Sequence, residues 1–534
     1  MQFIQLNVFY FLFLVFYYWN INKVFEFLTK KHGNVDFVVN MFFKKVYLVN
    51  TQRTLKTILS AKTNDLTYVQ QNLNRYLGHN NTINCFDSTK LEWTNMHTLL
   101  KATLNNPNGK IKEYVQKYKY IILENYPTLN EAIENFVNKV LSEFNYGPNV
   151  DMVTYKLTRQ RILQYLKRFH QSNLVRVPYL GAVWCTLLRW YYKEEMNIIV
   201  NYLKKLHENS NGALTELENE LCKSRIVGNP YNTIIETSFL LMLENDFVYS
   251  VIIDQLIRPT NTTIEESIYN GFLYPVRYRN SGEQIGSIAK NSLVIYHLLN
   301  SKLYFSWGPR ACVGQTMVKN DILPVVDDFK QWVKIKNPTN FYETVRTDNI
   351  PIVKDILDYE ISLPRDYLEN NIPSFRPDNG IRMYDMMSVY SNPFLLKYIV
   401  NKIASQIDPD IKIIVAPEAR ALPLAGALAK KLSLPLIVIR KGGKIVGPIY
   451  SVIYNKGYTT EPDCFEISKM DMYGANVLFV DDGISSGGSA KACMDLVKMC
   501  NGNVSKIHVI ANHTYRECMD LGVPVHSLFT ITKY

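Results

Sequence analysis

The segment Asn476–Ala490, NVLFVDDGISSGGSA, constrains the fold of this chain more than any other stretch. A continuous apolar run leads into two carboxylates, then into a loop of small residues, then into the start of a helix. Continuous apolar runs of this length suit strands buried on both faces of a parallel sheet. A small-residue turn after such a strand aims several backbone N–H groups and a helix N-terminus at one point, which favours a phosphate. Asp481 and Asp482 sit at the carboxyl end of the strand, where open α/β sheets bind their ligands. Carboxylates in that place can hold ribose hydroxyls directly or through Mg²⁺.

The surrounding text agrees with an α/β sheet. IKIIVA (411–416), LPLIVIR (434–440) and KIHVIAN (506–512) read as further buried strands, with Ala421–Leu432 and Ser489–Cys500 as crossover helices. Upstream the rhythm is different. Apolar residues recur at three- and four-residue spacing in Tyr114–Leu123, Met152–Leu166, Glu194–Leu206 and Thr233–Met242, so that part reads as α-rich. Between the two lies a polar stretch with Pro338, Pro351, Pro364, Pro373 and Pro377, the expected connection. A chain of 534 residues also exceeds what one hydrophobic core supports. The expected organisation is a membrane anchor over 1–21, an α-rich domain over 22–335, a linker over 336–371 and an α/β domain over 372–534.

Composition excludes some classes. With 47% hydrophobic and 20% charged residues the chain is not disordered as a whole. The net charge of +11 comes without Lys/Arg blocks, so no nucleic-acid partner is expected. The eight cysteines form no C-x-x-C pair, which argues against a zinc module or a disulfide scaffold. At the N-terminus VFYFLFLVFYYW (8–19) is followed by Lys23, Lys30 and Lys31, and reads as a retained anchor that leaves both domains on the cytoplasmic side. The alternative is an aromatic first helix buried in the α-rich domain.

Hydrophobics, two acids, two variable positions and a small-small-Gly-Gly-Ser loop together resemble the signature of the type I phosphoribosyltransferases. The resemblance implies that Ser485, Ser486, Gly487, Gly488 and Ser489 hold the 5′-phosphate of phosphoribosyl pyrophosphate, with Gly483 and Ile484 in the variable positions. APEARALPLAG (416–426) resembles the diphosphate loop of the adenine enzymes, placing Glu418, Ala419, Arg420 and Ala421 in it. IVIRKGGKIVGP (437–448) resembles their strand and basic turn, and implies that Arg440, Lys441 and Lys444 neutralise the departing pyrophosphate. IPSFRPDNGIRMYDMMSVYSNP (372–393) resembles the entry segment, with Met383 over the base and Asp385 two positions on. By this resemblance Arg420, Lys444, Asp481 and Asp482 carry catalysis, Met383 and Arg420 meet the base, adenine and phosphoribosyl pyrophosphate are the substrates, Mg²⁺ is the cofactor, and a homodimer can form through this domain. Three departures stand out: Tyr384 replaces a basic residue, Ala421 stands where a Gly follows the loop Arg, and the lid Tyr450–Cys464 does not reproduce an acid-Tyr-Gly motif, leaving Tyr458 and Glu461 as substitutes at another spacing. Hypoxanthine, xanthine or no base at all stay open beside adenine. A phosphoribosyl pyrophosphate or nucleotide sensor that binds without catalysing is one rival reading, and a haem oxidoreductase with this domain as an accessory tail is the other.

The α-rich part holds one further motif, FSWGPRACVG (305–314). It resembles the haem-ligand loop of the cytochrome P-450 monooxygenases, with Phe305, Gly308, Arg310, Cys312 and Gly314 at the matching positions. The resemblance implies a thiolate axial ligand from Cys312 to haem iron. Trp93 and His97 then stand at a propionate site, and Glu236 and Thr237 stand for an acid–alcohol pair. Glu266 is followed by Tyr269 where an Arg belongs, and only 46 residues separate Glu266 from Cys312, fewer than the family's meander needs, so the domain reads as truncated. A haem-binding relative, a degenerate domain without haem and a working monooxygenase all stay open.

Overall fold

The computed structural model of the full chain describes residues 2–18, 21–41, 45–61, 68–79, 91–104, 109–124, 126–171, 180–258, 267, 276–280, 284–290, 292–297, 312–336, 345–347, 350–352, 355–357, 359–375, 382–455, 462–515 and 517–532. The chain divides into two compact units, Met1–Lys119 with Tyr126–Glu360, and Tyr120–Asn125 with Ile361–Tyr534. Apart from Tyr120–Asn125, the division falls between Glu360 and Ile361.

The first unit is helix-rich, as its periodicity predicts. Its helices include Leu129–Tyr146, Met152–Gln171, Lys193–Glu208, Pro230–Leu241 and Glu244–Ile257. The stretch expected as one helix over Tyr114–Leu123 is an α-helix, Lys110–Tyr118, that tightens into a 3₁₀ turn over Lys119–Leu123. Beside the helices lies a five-stranded mixed sheet in the order Phe3–Leu6, Asp36–Asn40, Lys45–Val49, Leu293–His297, Val276–Asn280. A buried charge in this unit is paired through its Nη atoms: Arg159 donates to Glu134 Oε1 at 2.8 Å, Asn138 Oδ1 at 2.7 Å and Asp246 Oδ1 at 2.8 Å. Removing one partner from such a cluster leaves an uncompensated buried charge.

The expected membrane anchor is overturned. Among the described residues no helix is long and apolar enough to cross a membrane. Phe3–Leu6 is a strand, paired parallel with Asp36–Asn40. The Asn7 side chain accepts from the Phe9 N–H at 2.9 Å and opens a separate helix, Val8–Tyr18, of 11 residues. Such a helix is roughly 16 Å long, about half a bilayer core. Its Phe11 and Leu14 pack with Val24, Phe25 and Leu28 in a local core. The apolar run is thus divided by Asn7 between a strand and a short helix, and the orientation inferred from an anchor falls with it.

The second unit carries a seven-stranded sheet: β1 (Ile413–Pro417), β2 (Leu436–Lys441), β3 (Ile449–Tyr454), β4 (Asp463–Ser468), β5 (Asn476–Ile484), β6 (Asn503–His513) and β7 (Val525–Ile531), in the order β3-β4-β2-β1-β5-β6-β7. Strands β2, β1, β5, β6 and β7 pair parallel, and β3 and β4 add an antiparallel hairpin at the β2 edge. Helices α1 (Pro393–Ala404), α2 (Leu422–Leu432) and α3 (Gly488–Met499) accompany it. Helix α1 starts sharply: Asn392 Oδ1 accepts from the Phe394 and Leu395 N–H groups at 3.1 and 3.0 Å, and Pro393 occupies the first turn.

The core on the α3 side gathers Val477 and Phe479 of β5, Ile507 and Val509 of β6, and Ala492, Cys493 and Leu496 of α3. Truncating a fully buried phenylalanine such as Phe479 to Ala costs about 3–5 kcal/mol. This packing holds the carboxyl ends of β1 and β5 side by side, and the loops after them build the site.

Candidate functional site

The loop after β5 is shaped by two glycines. Gly487 has φ +86°, and a Cβ there would stand 2.9 Å from Met519 Cγ and 3.0 Å from Cys518 Sγ. A Cβ on Gly488, the first residue of α3, would stand 2.6 Å from the Asn455 carbonyl oxygen. Glycine is therefore required at both positions, the first for conformation as well as space. The Met519 N–H donates to the Ser486 carbonyl at 3.1 Å and braces the loop from outside. The Ser485 hydroxyl is buried and finds no hydrogen-bond partner among the described residues. A buried hydroxyl without a partner costs free energy that an incoming acceptor removes.

Just before the loop, the Asp482 N–H donates to Asp481 Oδ1 at 2.8 Å. The Asp481 carboxyl is held well above the usual carboxylate range, first by burial and then by the Asp482 charge, with Arg420 opposing. Asp482 is buried and forms an ion pair with Arg420, which the loop after β1 carries. The Tyr390 hydroxyl donates to the Arg420 carbonyl oxygen at 2.9 Å. Burial, then the charges of Asp482 and Asp481, push that phenol up.

The loop after β1 begins with Glu418, joined to Ala419 by a cis peptide bond. Glu418 Oε2 accepts from Arg440 Nε at 2.8 Å and from the Lys441 N–H at 3.3 Å. The Arg440 bond, then the Lys441 N–H, hold the Glu418 carboxyl below its ordinary value. The following turn is pinned from beneath, because the Gly443 N–H donates to the buried Glu466 at 2.8 Å.

These parts enclose one cavity of about 310 Å³. Of the residues expected from the sequence, Met383, Ala419, Arg420, Lys441, Asp481, Asp482, Gly483, Ile484, Ser485, Ser486, Gly487 and Ser489 line it. Gly488 stands behind the loop. Arg440 and Lys444 are not on the lining: Arg440 is turned to Glu418, and Lys444 is exposed on its turn. Asp385 plays a local part, accepting from the Met387 N–H at 3.0 Å at the start of a short helix. The cavity also takes in residues the motifs do not name, among them Met386, Tyr454, Phe465 and His513. Tyr454 stacks on Phe465 with ring centroids 4.5 Å apart. Tyr450–Tyr454 and Asp463–Cys464, expected as a flexible lid, belong to the β3–β4 hairpin, while Tyr458 and Glu461 lie outside the described residues.

In the first unit, Cys312 is exposed and its carbonyl accepts from the Gln315 N–H at 3.3 Å. Phe305, Gly308 and Arg310, like Glu266 and Tyr269, lie outside the described residues. Trp93 and His97 stack at 4.7 Å, and Thr237 Oγ1 donates back to the Thr233 carbonyl at 2.7 Å within its helix, next to Glu236. Glu244, whose carboxyl burial raises to about 7, has Oε1 3.4 Å from where a Cβ on Gly314 would stand. Among the described residues no group of three or more His, Cys, Asp or Glu side chains could hold a metal ion.

Residues 389–526 match the family model of the phosphoribosyl transferase domain. The adenine phosphoribosyltransferase of Mycoplasma genitalium is 34% identical over 131 residues, 24% of this chain and 72% of the relative. Adenine phosphoribosyltransferase 1 of Saccharomyces cerevisiae is 31% identical over 168 residues, 30% of this chain and 88% of the relative. A solved adenine phosphoribosyltransferase from Thermoanaerobacter pseudethanolicus, 25% identical, matches 31% of this chain and 99% of its own with a TM-score of 0.29. Through its C-terminal α/β domain the chain belongs to the phosphoribosyltransferase family, and that domain resembles the adenine phosphoribosyltransferases.

Proposed function

We propose that the C-terminal domain transfers the phosphoribosyl group of phosphoribosyl pyrophosphate to adenine, releasing AMP and pyrophosphate in purine salvage. The observation that carries this reading is the buried Ser485 hydroxyl, without a hydrogen-bond partner among the described residues, in a glycine-shaped loop that follows two adjacent carboxylates. Backbone N–H groups of Ser485–Ser489 receive the 5′-phosphate, and Asp481 and Asp482 receive the ribose hydroxyls. Arg420, released from Asp482, turns to the diphosphate together with Lys441, and Arg440 and Lys444 add positive charge from outside the lining. Adenine N9 forms its bond to the anomeric carbon as the bond to the pyrophosphate oxygen breaks. The electron pair leaves with pyrophosphate, and the N9 proton passes to solvent. Cations placed where that charge develops supply the main electrostatic assistance.

Asp481 and Asp482 would suit Mg²⁺, because hard cations prefer carboxylate oxygens and a cation would offset the burial and the Asp482 charge that raise Asp481. Bound there with the diphosphate, it would supply charge neutralisation of the leaving group.

A ligand-sensing role is the second reading, favoured by one feature of the lining. Its acids are Glu418, Asp481 and Asp482, and none comes from the described part of the β3–β4 hairpin. Calorimetric binding of phosphoribosyl pyrophosphate, paired with pyrophosphate release in the presence of adenine, hypoxanthine, guanine or xanthine, separates the two. Release with adenine that disappears in Asp481→Asn/Asp482→Asn supports the enzyme, whereas binding without release for every base supports the sensor.

For the first unit, haem ligation by Cys312 is carried forward as a proposal that rests on its motif. An absorbance band of thiolate-ligated haem that is lost in Cys312→Ala supports it, and identical spectra of the haem-supplemented protein and variant refute it.

A further inference from the structure

The helix-rich first unit holds a chain of three side chains that phosphoribosyl transfer does not use. Helix Lys193–Glu208 carries His207 in its last turn, the chain reverses through Asn209–Gly212, and helix Ala213–Ser224 follows. His207 Nε2 is 2.7 Å from Glu218 Oε2 on the second helix, and His207 Nδ1 is 3.2 Å from the Ser210 hydroxyl in the turn. An ionised carboxylate only accepts, so Nε2 carries the ring proton and Nδ1 presents its lone pair to Ser210. Thr215 Oγ1, 2.6 Å from Ser210 Oγ and 3.1 Å from the Ser210 carbonyl oxygen, gives its proton to Ser210 and fixes the serine's place. Hydroxyl, imidazole and carboxylate thus follow one another within hydrogen-bond reach, the arrangement that activates a serine as nucleophile.

The surroundings agree with that chemistry. His207 is buried, and Tyr231 packs beside it with ring centroids 5.7 Å apart, so the base is held in one place. Ser210 is half-buried between the exposed Asn209 and Asn211, at the surface of the unit. Its contact with Thr215 sets Ser210 Oγ at the first turn of helix Ala213–Ser224. The N-cap of that helix is Gly212, which has no side chain to occupy the first-turn N–H groups, and negative charge is favoured at such an end. An oxyanion formed by attack of Ser210 on a carbonyl develops beside these donors.

We propose that Ser210, His207 and Glu218 form an acyl-transfer site that hydrolyses small, neutral carboxylic esters, independently of the phosphoribosyl site. Ser210 Oγ forms its bond to the ester carbonyl carbon as its proton passes to His207 Nδ1, and Glu218 steadies the imidazolium. The C–O bond to the alcohol then breaks, the alcohol oxygen takes the proton from Nδ1, and the acyl group remains on Ser210. Water attacks that acyl group and gives a proton to Nδ1, the carboxylic acid leaves, and Ser210 Oγ recovers the proton. The ester is small because Ser210 is half-buried, and neutral because the turn Asn209–Gly212 holds no cation to meet an anionic substrate.

The test treats the full-length protein with a fluorophosphonate, which phosphonylates activated serines, and locates the adduct by peptide mass spectrometry. Hydrolysis of p-nitrophenyl acetate is followed on the same preparation. The expected results are an adduct on Ser210 and ester hydrolysis above the protein-free rate, both lost in Ser210→Ala. His207→Gln is expected to slow labelling and hydrolysis by about 10²–10⁴, the range for a positioned general base, and Glu218→Gln to slow both by less. Thermal melts check that the variants are folded, and Glu218→Gln, at a less buried side chain, carries the comparison should His207→Gln unfold. A cluster that only braces the two helices gives no adduct. Absence of a Ser210 adduct in the wild-type protein, hydrolysis that persists in Ser210→Ala, or labelling at an unchanged rate in folded Glu218→Gln overturns the inference and leaves the proposed function standing.

Discussion

Arg420 and Asp482, carried by the loop after β1 and the end of β5, are joined as an ion pair within the cavity, with Tyr384 offering its carbonyl to the same guanidinium at 3.3 Å. Each group that would grip one half of phosphoribosyl pyrophosphate is thus neutralised by the other. Ligand binding replaces one strong pairing by two, the carboxylate to ribose and the guanidinium to diphosphate.

Arg420→Ala is therefore expected to lower kcat/KM for phosphoribosyl transfer by about 10²–10³, the range for losing one preorganised electrostatic contact. Arg420 is substantially exposed but its loss leaves the buried Asp482 without its cation, so the melting temperature should also fall. Steady-state pyrophosphate release and a thermal melt on the same preparation check both halves.

Gly487→Ala introduces a Cβ at φ +86° and 2.9 Å from Met519 Cγ. The expected cost is about 1–3 kcal/mol of stability, with loss of phosphoribosyl pyrophosphate binding as the loop shifts. Urea unfolding and calorimetry read the two effects separately. Met519→Ala combined with Gly487→Ala should recover part of the stability, because it removes the Met519 contact and leaves the Cys518 contact and the backbone strain.

His508 of β6 is fully buried, stacked on His526 at 5.1 Å, and neither ring nitrogen finds a hydrogen-bond partner among the described residues. Burial first, then His526 and Lys506, lower its pKa from 6.5 to about 4. Between those values the unfolded chain takes up a proton that the folded chain does not. Its contribution to stability is therefore complete above pH 6.5 and declines as the pH falls toward 4, by at most roughly 3 kcal/mol. Denaturation midpoints at pH 7.5 and 5 should differ clearly less in His508→Leu than in the wild-type protein, and an equal difference would contradict the assignment.

Asn392→Ala removes the side chain that accepts from the Phe394 and Leu395 N–H groups. A loss of about 1 kcal/mol is expected, read by urea denaturation. Asn392→Asp should keep most of the stability.

The α/β domain was largely legible in the chain because its central strands are buried on both faces and appear as unbroken apolar runs, and because the loop after β5 needs small residues for steric reasons. The β3–β4 hairpin was less legible. Ile449–Tyr454 alternates between partly buried and exposed positions, so it lacks the continuous pattern and reads as a loop. His513 carries no motif at all: its place on the cavity wall comes from strand register, and register is decided by tertiary pairing. Arg440 was expected on the diphosphate, yet Glu418 competes for it, an ion pair that spacing along the chain does not reveal. The apolar N-terminal run misleads for a related reason, since a hydropathy window counts Phe11 and Leu14 as lipid-facing although both are buried in the unit's own core.

Conversion of labelled adenine to AMP by the full-length protein, with phosphoribosyl pyrophosphate and Mg²⁺, tests the central claim most directly. Formation of AMP with stoichiometric pyrophosphate, absent in Asp481→Asn/Asp482→Asn, is the expected result. A folded protein that binds phosphoribosyl pyrophosphate and yields no AMP would contradict it.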